Sequence, residues 1–304
     1  SLEIHQLAGG GVDVDVLRDL GADSGLCSHV GGLLVESWAN VVPVTNDPGQ
    51  RPPLDNRRLA ATGPDRPPRL PAELVVEVVD QTASTNALAT RRAQEGAPEG
   101  LVVVTEHQTS GRGRLDRVWE TPARAAVTCS LVLRPSVPAA RWPWLPLLTG
   151  YAVTGALRAA GYDAGVKWPN DVLIGDRKVA GILVERIETP RGPAAIVGIG
   201  LNVTTTADEL PVATGTSLLI EDPGRVPDRT DLLAALVGAV RAHTGACVTL
   251  GREGRVEVPA GEPLTGRACG IDPTGRLEVA TGTGTVAVGA GDVVHVRPAT
   301  PPVR

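Results

Sequence analysis

The chain has no phenylalanine, no methionine and only two tyrosines among its 304 residues. Its core must therefore be assembled from Val, Leu, Ile and Ala. Cys27, Cys129, Cys247 and Cys269 form no Cys-x-x-Cys pair, and the five histidines show no His-Glu-x-x-His spacing. Zinc or a disulfide framework is thereby disfavoured, and buried free thiols are expected. No apolar run reaches the ~18 residues of a membrane span, and the N-terminus lacks a basic-then-apolar leader pattern. The expected compartment is the cytoplasm. A formal net charge of −5 argues against a general nucleic-acid or acidic-membrane partner. The hydrophobic fraction of 42% suits a soluble globular enzyme with one sizeable core or two modest ones.

Lysine is the most telling scarcity. Of 29 basic residues only Lys167 and Lys178 are lysine. A compact ammonium is not interchangeable with a planar guanidinium, so these two positions ask for a function that arginine does not serve.

Residues 1–70 are crowded with Gly and Pro breaks and offer at most a short helix near 14–20. A flexible extension is expected there, dispensable for activity, and no helix-turn-helix head. From residue 74 the texture changes to a β-rich strand over 74–80. Ser84-Thr85-Asn86 follows, with N-cap hydroxyls ahead of a helical run over 87–94. Strands are expected over 101–105, 125–133 and 194–203, and an apolar helix over 144–160. Proline ends the strand at Lys167-Trp168-Pro169-Asn170-Asp171, and Asp176-Arg177-Lys178 makes the tip of a hairpin with a lysine on each side. Residues 204–227 read as loop, 231–244 as an amphipathic helix, and five short strands from 256 to 296 as a small barrel.

The stretch over 106–119 alternates Gly111-Arg112-Gly113-Arg114, adds Arg117 and closes on Trp119. Glycine permits close backbone approach, and arginine presents a fixed fork of donors to carboxylate or phosphate. Such a loop suits an anionic ligand, and is expected to be mobile when empty and ordered when filled. Gly198 and Gly200 leave room for something to approach the strand over 194–203.

Four segments in register resemble the biotin–protein ligase family: Ser84-Thr85-Asn86, the Gly-Arg-Gly-Arg loop after Glu106-His107-Gln108, Lys167-Trp168-Pro169-Asn170-Asp171, and Lys178-Val179-Ala180-Gly181-Ile182-Leu183. The resemblance covers about 74–298. It implies an α+β fold, with a mixed β-sheet backed by helices over 71–250, an SH3-like barrel over 251–299 and a tail over 300–304. It also implies that biotin is activated by ATP, with Mg²⁺, as biotinyl-5′-AMP. A specific lysine of a biotin carboxyl carrier protein or carboxylase domain then receives the biotin.

Carried over position by position, the resemblance places Lys167 between the biotin carboxylate and the α-phosphate, with Arg112 and Arg114 folded over the reactants. Ser84, Thr85, Asn86 and Gln108 face biotin's neutral ureido ring, for which hydroxyls and amides are suitable partners. Gly113, Gly181 and Gly200 line the same region. Gly111, Arg117, Trp119, Lys178 and Asn202 go to the nucleotide, and the amides of Gly111 and Gly113 join an anion nest. Trp119 is either an adenine-stacking residue or part of a hairpin core, and Trp168 is a packing residue. Lys178 is either a phosphate contact or a solvated tip. Asp171 is either a Mg²⁺ contact or a turn former, and no protein-only metal cage is expected.

The DNA-binding head of bifunctional members is not expected, and the tether ahead of the barrel reads as short. A lipoate or octanoate ligase is the nearest alternative, but lacks the Gly-Arg-Gly-Arg and Lys-Trp-Pro-Asn-Asp segments. A non-catalytic biotin-sensing regulator is disfavoured by the acidic charge. A dinucleotide binder is disfavoured because no Gly-x-Gly-x-x-Gly opens a helix.

Overall fold

The computed structural model describes residues 51–135, 139–240, 253–257, 263–272, 276–289 and 292–295. Expectations for residues 1–50, the segment joining the two sheets and the tail lie outside these.

Val75–Thr82 (β1) and Leu101–Gln108 (β2) are parallel strands linked by the helix Thr85–Gln94 (α2). The short helix Asn56–Ala60 (α1) precedes them. Gly111–Arg112 (β3) and Val118–Trp119 (β4) form a separate antiparallel ribbon. Ala126–Leu133 (β5) follows, then the helix Leu145–Ala159 (α3) and the strands Ala164–Lys167 (β6), Asp171–Ile174 (β7), Arg177–Ile187 (β8) and Ala194–Asn202 (β9). The helices Leu218–Glu221 (α4) and Arg229–Val240 (α5) complete the domain. The seven-stranded sheet runs β1-β2-β5-β9-β8-β7-β6, antiparallel except at β1–β2.

Strand alternation decides which residues face which helix. Val127, Cys129 and Leu131 of β5 join the large core beneath α3 and α5. Complete burial there raises the Cys129 thiol pKa to about 12, so it remains an inert core group. Val132 turns to the opposite face, where Val103 and Ile196 pack against Leu88, Ala89 and Ala93 of α2. Ser84 caps α2, its Oγ accepting from the Ala87 amide at 3.4 Å. Between β6 and β7 the chain reverses at a cis Trp168-Pro169 peptide, and Gly175, with φ of 58°, turns β7 into β8. The single hairpin expected here is thus a three-stranded meander, because proline ends one strand and the left-handed glycine ends the next.

The boundary expected near residue 70 falls earlier. Leu54, Leu59 and Leu70 are at most 4% exposed and belong to the large core, and Asp55 caps α1 by accepting from the Arg57 and Arg58 amides. The prolines prevent a regular ladder without preventing burial of the leucines between them. The span over 204–227, expected as loop, carries α4, capped by Ser217.

Glu253–Glu257 (β10), Leu264–Ile271 (β11), Leu277–Thr281 (β12), Gly284–Val288 (β13) and Asp292–His295 (β14) form the small domain. Their antiparallel order is β13-β12-β11-β10-β14. Among the described residues the small SH3-like barrel domain expected from sequence is this five-stranded antiparallel sheet, with β13 and β14 at its ends. Ala268, Leu277, Val279 and Val288 pack on Leu147, Val166 and Trp168. Trp168 is 2% exposed, which bears out its packing role. No helix among the described residues is long and apolar enough to cross a membrane.

Candidate active site

The sheet register aligns Lys167, Asp171, Gly181, Gly200 and Thr128 in one row across β6, β7, β8, β9 and β5. Directly opposed residues share a face, here the one carrying α2. The two glycines remove side chains from the middle of the row, and a cavity of about 1060 Å³ opens over it.

At one end the N-terminus of α2 supplies Ser84, Thr85 and Asn86. Gln108, at the end of β2, accepts from the Thr85 amide at 2.8 Å through Oε1. Ser130 Oγ lies 2.6 Å from Asn86 Oδ1 and 2.8 Å from Thr85 Oγ1. Since an amide oxygen only accepts, the single serine proton goes to Asn86. Asn86 Nδ2 in turn donates to Glu185 at 2.7 Å. These hydroxyls and amides are buried and mutually oriented, which suits recognition of a neutral polar ring.

The Gly-Arg-Gly-Arg loop forms part of the ribbon β3–β4, from which Arg112, Gly113, Val118 and Trp119 line the cavity. Leu115, at φ of 56°, adopts the left-handed conformation at its tip. Gly111 does not line the cavity: a β-carbon there would collide with the Trp119 carbonyl and the Gln108 amide nitrogen. The Gly113 N–H donates to the Arg117 carbonyl at 2.6 Å. The Gly113 amide is thus engaged across the ribbon, where an anion nest was expected of it. Arg112, Arg114 and Arg117 all line the cavity. Arg112 donates to both oxygens of Glu185 at 3.0 and 3.2 Å, and Arg114 to Asn170 Oδ1 at 3.3 Å.

At the other end stand both lysines. Lys167 has no ion-pair partner among the described residues, whereas Lys178 Nζ lies 2.6 Å from Asp171 Oδ1. Asp171 is thus already engaged, and no group of three metal-ligating side chains occurs among the described residues. A resident magnesium does not fit this arrangement. Trp119 lies over the central glycines: a β-carbon at Gly200 would stand 2.5 Å from its ring, and Lys178 Nζ is 5.7 Å from the ring centroid. Its Nε1 is buried without a hydrogen-bond partner. Asn202 lines the cavity and donates to the Thr216 carbonyl at 2.9 Å, tying down the loop after β9.

The cavity therefore gathers every site residue expected from sequence except Gly111. Ser130 and Glu185 were missed. Ser130 is one of the polar residues alternating with apolar ones along β5, and that pattern is its only signal in the sequence. Glu185 carries none.

The biotin/lipoate A/B protein ligase family model matches residues 76–202, and the biotin protein ligase C-terminal domain model matches 249–296. A biotin–[acetyl-CoA-carboxylase] ligase of Mycobacterium tuberculosis is 38% identical over 275 residues, which span 81% of this chain and 97% of that protein. A bifunctional ligase/repressor of Bacillus spizizenii is 43% identical over 134 residues, 43% of this chain and 41% of its own length. Among solved structures, the Aquifex aeolicus biotin protein ligase in complex with biotin and ATP is 26% identical at a TM-score of 0.60, over 73% of this chain and 99% of that one. Likeness extends through both sheets and nearly the full length of the mycobacterial enzyme, and the chain belongs to the biotin protein ligase family.

Proposed function

We propose that this protein activates biotin with ATP as biotinyl-5′-AMP and transfers it to a lysine of a biotin carboxyl carrier domain, with acetyl-CoA carboxylase as the acceptor class. The observation that carries this reading is the row of residues under one cavity. An oriented amide and hydroxyl cluster occupies one end, Lys167 stands at the other, and arginines lie above. In the first step a biotin carboxylate oxygen attacks the α-phosphorus, the α–β anhydride bond breaks, and pyrophosphate leaves. In the second the acceptor amine attacks the acyl carbonyl, AMP leaves, and the nitrogen gives up a proton to water.

Both reactants of the first step are anions, so positioning and fixed positive charge dominate the catalysis. Lys167 supplies that charge where carboxylate and α-phosphate meet, and Arg112 and Arg114 hold the adenylate. Ser84, Thr85, Asn86 and Gln108 bind the ureido ring, with Gly113, Gly181 and Gly200 admitting the ligand. Arg117, Trp119, Lys178 and Asn202 border the nucleotide, and Gly111 acts through the ribbon. The setting we propose is the cytoplasm, where ATP and the acceptor carboxylase occur together. The repressor activity of the bifunctional relatives is not carried over from a match spanning 41% of their length.

The test is incubation with ATP, Mg²⁺ and a carrier domain, with biotin in one arm and lipoate in the other, read by the mass of the acceptor. Labelling in the biotin arm alone is expected. Labelling in the lipoate arm alone would overturn the reading.

A further inference from the structure

The segment ahead of β1 is fastened to the bases of both cavity loops. Arg51, 6% exposed, donates from Nη2 to Glu209 Oε2 at 2.6 Å and to the Thr204 carbonyl at 3.0 Å. Glu209 Oε2 also accepts from the Thr206 amide at 3.0 Å, closing the turn that feeds residues 210–215 along the cavity wall. Three positions on, the Leu54 amide donates to Glu106 Oε1 at 2.6 Å. Glu106 stands on β2 two residues before Gln108, and its Oε2 accepts from Arg229, which also donates to the Pro52 carbonyl. Burial lowers the Arg229 pKa, against the pull of Glu106.

The far end of the 204–217 loop is held separately. Lys178 and the loop exchange backbone hydrogen bonds at Thr214 and Thr216, both 2.8 Å. With that end fixed, the Arg51–Glu209 pair anchors the near end of the intervening wall. Neither carboxylate touches the cavity, so their contribution to chemistry is indirect.

We propose that Arg51 is a positioning residue which, through Glu209, sets the cavity wall over 210–215 against the nucleotide half of the bound adenylate. A segment ahead of the first strand of the sheet thereby tunes adenylate retention. This rests on the ligase reading for its catalytic consequence, but not for the anchoring itself. A buried charge deprived of its partner is strongly unfavourable, so removing either side should release the turn and not merely weaken it.

The experiment compares the full chain with Arg51→Ala, Glu209→Gln and the double variant. Glu209→Gln keeps the side-chain volume should Arg51→Ala fail to fold. Hydrogen exchange of the amides over 206–215 is expected to accelerate in each variant, while those of β5 and β9 do not change. The KM for ATP should rise on the order of tenfold with the KM for biotin unmoved, and the double variant should be no worse than either single one. More biotinyl-AMP should escape into solution per acceptor labelled. Unchanged exchange over 206–215 in a folded Glu209→Gln protein would overturn the anchoring. Equal rises in both KM values, or additive single effects, would overturn the positioning role. A wild-type enzyme inactive on biotin would remove the ligase reading and leave the exchange result to judge the anchor.

Discussion

Asn86 occupies the space that a side chain at position 198 would need: a β-carbon on Gly198 would lie well inside contact distance of Asn86 Oδ1. Gly198 is thus the complement of the polar cluster at the start of α2. Gly198→Ala should push Asn86 off Ser130 and Glu185 and misalign the ureido partners. Losing one or two buried hydrogen bonds of about 1 kcal/mol each predicts a rise in the KM for biotin of roughly tenfold. Steady-state kinetics with each substrate varied in turn checks this, and the KM for ATP should not move.

Lys167 stands at the end of the cross-sheet row, opposite Asp171 and without an ion-pair partner among the described residues. Lys167→Arg keeps the charge but replaces a point ammonium with a larger planar fork. Pyrophosphate release should fall by about a hundredfold or more, the scale set by losing a positioned group from a transition state. Biotin binding, measured by calorimetry without ATP, should change much less.

Asp171 is bound to Lys178 in this structure, which sets a test of the metal role that the family resemblance suggests for it. Asp171→Asn should lower the KM for ATP by freeing Lys178 from its pair, yet leave the Mg²⁺ concentration for half-maximal rate unchanged. A rightward shift of the Mg²⁺ titration would place the carboxylate on the metal.

At the sheet edge the Arg92 guanidinium hydrogen-bonds Glu77 and holds its pKa below the ordinary 4.5, with burial opposing. The folded chain therefore favours ionised Glu77 more than the unfolded chain does. The pair contributes stability above the ordinary glutamate value and loses it as pH falls through the lower folded value. The melting temperature of the wild type should drop more steeply below about pH 4.5 than that of Glu77→Gln, and the two curves should converge in acid.

Much of this was legible from the residues in chain order, because β-branched runs, capping hydroxyls and Gly/Arg alternation are local signals. β1, α2, β2, β5, α3 and β9 fall within a few residues of their expected places. The row from Lys167 to Thr128 was not legible, because register is a relation between distant strands that neither sequence states alone. Glu185 was hidden for the same reason: it meets Asn86 and Arg112 only once β8 lies beside β9 and the ribbon folds over. Residues 51–54 were misjudged because their attachment uses buried charges and carbonyls instead of periodicity.

Trp168 adjoins Lys167 and has its side chain enclosed by Ala268, Leu277, Val279 and Val288. During synthesis Lys167 therefore emerges long before the surface that seats its neighbour. Until the small sheet is made and docked, that indole has Leu147, Val166, Trp144 and Tyr151 in its cluster without the four residues of the small sheet. A nascent chain holding all of the cavity motifs would still lack the surface that encloses Trp168 beside Lys167.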